Sequence, residues 1–87
     1  MKTKFVFEIM QLDDESVAVP VGTNAEKFHG VLKVNETAAA ILKLMENEIT
    51  EEEIVKKLMR EYYGEKDMIA TYVHEYIDKL ASEGLVE

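Results

Sequence analysis

From Lys4 to Leu12 the apolar positions recur with a period of two. Phe5, Phe7 and Ile9 share one face, and Val6, Glu8 and Met10 the other, which reads as a β-strand. The second face is only half polar, so partial cover over it is expected. Asp13-Asp14-Glu15-Ser16 reads as a hairpin turn, because these side chains bond their own backbone. Val17-Ala18-Val19 returns as a second strand. Pro20 has no ladder donor, which places it at a strand end or a bulge. Gly22 to His29 is a longer polar connection in which Phe28 is the side chain to pin it, and Gly30 to Val34 is a third strand. At Asn35, a good N-cap type, the period changes and an Ala-rich helix begins. The strand therefore runs into the helix almost without a loop, and the chain is organised around this stretch.

Helical periodicity holds from there on. The first helix spans about Glu36–Glu46, with Ile41, Leu42, Leu44 and Met45 as its apolar set. Thr50-Glu51-Glu52-Glu53 has the pattern of a capping box. The second helix follows with Ile54, Val55, Leu58, Met59 and Tyr62 inward, and Gly64 ends it. Asp67 is placed as the cap of a third helix that faces inward through Ile69, Val73, Tyr76, Ile77 and Leu80 and stops at Gly84. Leu85-Val86 then folds back on the core. Three antiparallel N-terminal strands followed by three helices make a segregated α+β plan. The last two helices resemble a helix-turn-helix and the sheet resembles a wing. The expected organisation is a single domain over 1–87, with the sheet at about 4–34 and helices at about 36–46, 51–63 and 68–83.

Composition narrows the field. A chain of 87 residues buries roughly 60–65% of its unfolded surface, and an apolar share of 47% suffices for a modest core. The absence of cysteine excludes disulfides, thiolate metal sites and iron–sulfur ligation, and a cytoplasmic location is expected. No apolar run reaches the roughly 18–20 residues of a membrane span. The net charge of −8 weighs against nucleic acid, whose binding rests on cations that neutralise phosphates.

Candidate chemistry is sparse. His29 lies in a loop, and His74 lies on a helix face with Ala70 and Asp78; neither has a second histidine at ligand spacing. Glu51-Glu52-Glu53 suits the positive end of a helix better than a cation. Asp13-Asp14-Glu15 lacks the glycine and bidentate glutamate spacing of a calcium loop. No glycine-rich phosphate loop is present. No catalytic residue, metal ligand or cofactor is assigned, and an enzyme is not expected. As a recognition helix the third one is poorly suited, since it opens with Met68, Ile69, Ala70 and Thr71 rather than Arg, Lys, Asn or Gln.

A partner peptide fits better. The third strand ends a meander, so one of its edges is open to an added strand. Tyr72 and Tyr76 stand four apart on the third helix with Lys79 on the same flank, and tyrosine is a frequent interface anchor. Core packing of Tyr76 under a covering Tyr72 explains the pair equally well. Lys33 suits either an acidic guest or the protection of a bare edge. A winged-helix DNA-binding regulator and a homodimerisation module, in which the open edge pairs with its own copy, stay open as alternatives.

Val19-Pro20-Val21-Gly22, Phe28-His29-Gly30 and Leu32-Lys33-Val34-Asn35-Glu36-Thr37-Ala38 together resemble the PqqD-like family, named for pyrroloquinoline quinone synthesis protein D. Ile49-Thr50-Glu51-Glu52-Glu53-Ile54-Val55 and the run from Tyr76 to Val86 are similar to the same family. The likeness covers nearly the whole chain, and the strand-to-helix stretch is its most specific part. The resemblance implies a RiPP recognition element: a winged helix-turn-helix that holds the leader of a ribosomally made precursor peptide. It implies that the leader adds as a strand beside the third strand, against the third helix. It also implies a maturase as second partner, often a radical S-adenosylmethionine enzyme, encoded nearby or fused; with no enzyme attached in this sequence, action in trans is expected. Carried onto this chain, the docking edge is Val31, Leu32, Lys33 and Val34. Helix geometry then places Tyr72, Tyr76 and Lys79 as the wall.

Overall fold

The computed structural model describes residues 1–22, 31–61 and 64–87. The expectations placed on Phe28, His29, Gly30 and Tyr62 lie outside the described residues. The element order is β1 (Val6–Leu12), β2 (Glu15–Val21), β3 (Leu32–Val34), α1 (Glu36–Leu44), α2 (Glu51–Glu61) and α3 (Lys66–Ser82). This is the α+β winged helix-turn-helix plan.

The three strands form one antiparallel sheet in the order β1-β2-β3. β1 and β2 pair without a bulge from Val6 opposite Val21 to Leu12 opposite Glu15. The turn is shorter than expected: Asp13 and Asp14 make it, and Glu15 and Ser16 already belong to β2. Asp13 takes a positive φ of 53°, which a short polar side chain tolerates. Pro20 sits inside the central strand, opposite Phe7. Its missing donor costs little because the pairing of β2 with β3 stops at Ala18, so no β3 carbonyl stands ready to accept.

Each helix carries its own start or stop signal. Asn35 caps α1, its Oδ1 accepting the Ala38 N–H at 2.8 Å. α1 stops at Leu44, with Met45 as C-cap, two residues short of the expected end. The capping box of α2 closes both ways: the Glu53 N–H donates to the Thr50 hydroxyl at 3.1 Å, and the Thr50 N–H donates to Glu53 Oε1 at 3.2 Å. At α3 the expected cap shifts. Glu65 is the N-cap, without a side-chain bond, and Asp67 lies in the first turn, where its charge suits the helix dipole. α3 ends in a Schellman turn. Gly84 N–H donates to Ala81 at 3.0 Å and Leu85 N–H to Leu80 at 2.9 Å, with Gly84 at φ 75°.

The core lies between one sheet face and the three helices. Phe7, Ala18 and Val34 enter from the sheet; Ile41, Met45, Ile54, Leu58, Val73 and Leu80 enter from the helices and their ends. Burying such a large apolar side chain stabilises the fold by about 1.5–3 kcal/mol. Met59, expected inward, is instead exposed. The chain ends are tied in: Leu85 is buried, Thr3 bridges Val86, and Lys4 N–H donates to Leu85 at 2.8 Å.

Candidate functional site

The meander leaves β3 at one border of the sheet, hydrogen-bonded to β2 alone among the described residues. Ser16, Val17 and Ala18 of β2 face Val34, Lys33 and Leu32. Val34 is buried in the core and Leu32 packs half-buried against it, so both point to the helix side of the sheet. Lys33 points to the opposite face, where its Nζ lies 3.6 Å from Glu15 Oε1. A guest on this edge therefore meets Lys33 through its backbone, while its ammonium already has an acidic partner. Val31 precedes the strand and is exposed.

α3 supplies the second side. Tyr72 and Tyr76, one turn apart, stack with ring centroids 6.3 Å apart and planes within 7° of parallel. Both rings are half-buried and packed on the core. Burial, with the Tyr72 and Glu83 charges adding to it, pushes the Tyr76 phenol up to about 12. The Tyr72 hydroxyl donates to Asn35 Oδ1 at 3.1 Å, tying α3 to the junction where β3 becomes α1. Lys79 stands exposed two turns beyond Tyr72, and its ammonium makes no ion pair among the described residues.

Sequence reasoning missed the surface beside Tyr72. Asp67, Met68, Thr71, Tyr72 and Glu75 line an open, mostly apolar groove of about 420 Å³. Met68, 69% exposed, is its most prominent side chain. The readable signal was Met68 one turn before Tyr72 on a helix otherwise charged on its outer side. His74 is not among the groove's lining side chains. Its Nδ1 lies 3.2 Å from Glu51 Oε1 and its Nε2 lies 3.4 Å from Asp78 Oδ2, so it links α2 to α3. The Glu51 hydrogen bond raises its pKa, with Asp78 reinforcing the shift.

Three antiparallel strands followed by three helices make the α+β winged helix-turn-helix class of fold. Residues 9–86 match the family model of coenzyme PQQ synthesis protein D (PqqD), and the chain belongs to that family. It is similar in fold to the solved structure of TbiB1 in complex with the TbiA(beta) leader peptide, at 23% sequence identity and a TM-score of 0.70. That similarity covers 100% of this chain and 95% of the other. No curated protein matches the chain. None of the described helices is long and apolar enough to cross a membrane.

Proposed function

We propose that this protein is a RiPP recognition element. It captures the leader of a ribosomally made precursor peptide by strand addition to β3 and presents it, in the cytoplasm, to a radical S-adenosylmethionine maturase. The observation that carries this reading is the border position of β3 alongside the Tyr72 and Met68 groove. Strand addition draws affinity from main-chain hydrogen bonds and selectivity from pockets for alternate side chains. Here the edge is Val31, Leu32, Lys33 and Val34, and the wall is Tyr72, Tyr76 and Lys79 with Met68 beside them. Membership of the PqqD family supports the reading, as does a similar fold that holds a leader in TbiB1.

The role is non-catalytic. Holding the leader on one surface and the enzyme on another makes the encounter effectively intramolecular, which raises the local substrate concentration without any bond being made or broken here. The core peptide stays free to be modified. The test is calorimetric titration of leaders from short precursor genes beside this one, with backbone resonances of 31–35 and of Tyr72 followed in parallel. Saturable binding that shifts those resonances supports the proposal; saturable binding that leaves them in place overturns it.

A further inference from the structure

The groove beside Tyr72 adjoins a second open hollow. This one, of about 500 Å³, lies where β3 runs into α1, and Asn35 is among its lining side chains. The Tyr72 hydroxyl donates to Asn35 Oδ1 at 3.1 Å, so a residue of one hollow touches a residue of the other. A chain laid beside β3 and over Tyr72 passes both.

The charges along this surface are of one sign. Asp67 and Glu75 line the groove, about two turns apart on α3 with Met68 and Tyr72 between them. Asp14, Glu15 and Glu36 line the hollow. The only ammonium lining either, among the described residues, is that of Lys33, and it lies 3.6 Å from Glu15. The carboxylates of Asp14, Glu36, Asp67 and Glu75 are exposed and make no ion pair among the described residues. Lys79, one turn past Glu75, lines neither hollow.

We propose that the leader taken by this protein is basic: its apolar anchor on Met68 and Tyr72 is flanked by Lys or Arg, which face these carboxylates. The inference rests on leader capture at β3 and adds the chemistry of the leader captured. Lys and Arg lay their stems on apolar surface and keep their heads in water, so one such side chain covers Met68 and still reaches Asp67 or Glu75. An acidic leader meets uncompensated like charge at both hollows. The net charge of −8 draws a cationic peptide in, and the placed carboxylates fix where its charges come to rest.

The probe is a displayed library of short random peptides, selected on the unmodified protein at physiological salt. Recovered binders are expected to carry Lys or Arg next to a large apolar residue about threefold more often than the unselected pool. Asp67→Asn with Glu75→Gln is expected to abolish that enrichment. Glu52→Gln with Glu61→Gln, the same loss of charge on α2 at residues that line neither hollow, is expected to keep it. In a selected peptide, exchange of the cations for Glu is expected to weaken binding about tenfold by calorimetry. Backbone resonances of 31–35 are followed with the same peptide. Binders that shift those resonances without basic enrichment overturn this inference and leave leader capture standing. Enrichment that survives Asp67→Asn with Glu75→Gln belongs to the net charge alone and overturns it too, as does a pool that yields no binder. Basic binders that leave 31–35 in place overturn leader capture at β3 and this inference with it.

Discussion

Asn35 Oδ1 accepts two hydrogen bonds, from the Ala38 N–H at 2.8 Å and from the Tyr72 hydroxyl at 3.1 Å. One oxygen thus starts α1 and fixes α3 beside the end of β3. Tyr72→Phe removes one bond and is expected to cost about 0.5–1 kcal/mol in urea unfolding. Asn35→Ala removes both and is expected to cost about 1–2 kcal/mol. In the double variant the losses are expected to fall short of additive, since both act on one contact.

The same tyrosine separates packing from recognition. Tyr72→Ala is expected to weaken leader binding by more than about 1 kcal/mol, whereas Tyr72→Phe, which keeps the ring over the groove, changes it by less than half of that. Calorimetric titration of both variants, each checked by circular dichroism, measures the difference. Equal affinities for Tyr72→Ala and the unmodified protein would make the ring a cover for the core and nothing more.

Lys33 lies on the sheet face away from the helices, paired with Glu15. Such an exposed pair contributes about 0–1 kcal/mol, and the edge itself offers the guest main-chain groups. Lys33→Ala is therefore expected to shift leader affinity by no more than about threefold, or roughly 0.6 kcal/mol. A tenfold loss on titration would instead assign the ammonium to an acidic residue of the guest.

The His74 link makes stability pH-dependent. Its folded pKa is raised above 6.5 by Glu51, then by Asp78, with Glu75 adding a smaller push. Its contribution is therefore complete below pH 6.5 and is lost as pH rises through the raised value. Glu53 has the opposite sign. Its pKa is lowered from 4.5 by hydrogen bonds to Thr50, so its contribution holds above 4.5 and is lost as pH falls through the lowered value. Urea midpoints measured across pH are expected to lose their neutral slope in His74→Gln and part of their acid slope in Thr50→Ala. A His74→Gln profile that keeps the neutral slope would place its origin elsewhere.

Gly84 holds the end of α3 at φ 75°, and a Cβ added there meets nothing within 4 Å. Gly84→Ala is then a pure backbone test. Its expected cost is about 1–2 kcal/mol, measured as a lower urea midpoint with an unchanged slope.

Features written locally were legible in the sequence. The cap at Asn35, the box of Thr50 and Glu53, and the stop at Gly84 each sit within a few residues of what they bind. The order of strands and helices followed from periodicity for the same reason. The start of α3 is not legible locally, because Glu65 makes no side-chain bond there and no chemical signature marks it, whereas Asp67 carries the usual one. The Tyr72–Asn35 bond joins residues 37 apart, and no local pattern encodes it. Met59 was assigned inward by spacing, yet α2 turns only a narrow stripe of Ile54, Val55 and Leu58 to the core.

The central claim is that an incoming peptide adds to β3 as a strand, and amide hydrogen exchange with and without leader tests it most directly. The account predicts slowed exchange for outward amides among residues 31–35, protection extending to the Tyr72 turn of α3, and no change along β1. Tight binding with the amides of β3 exchanging as fast as before would contradict it.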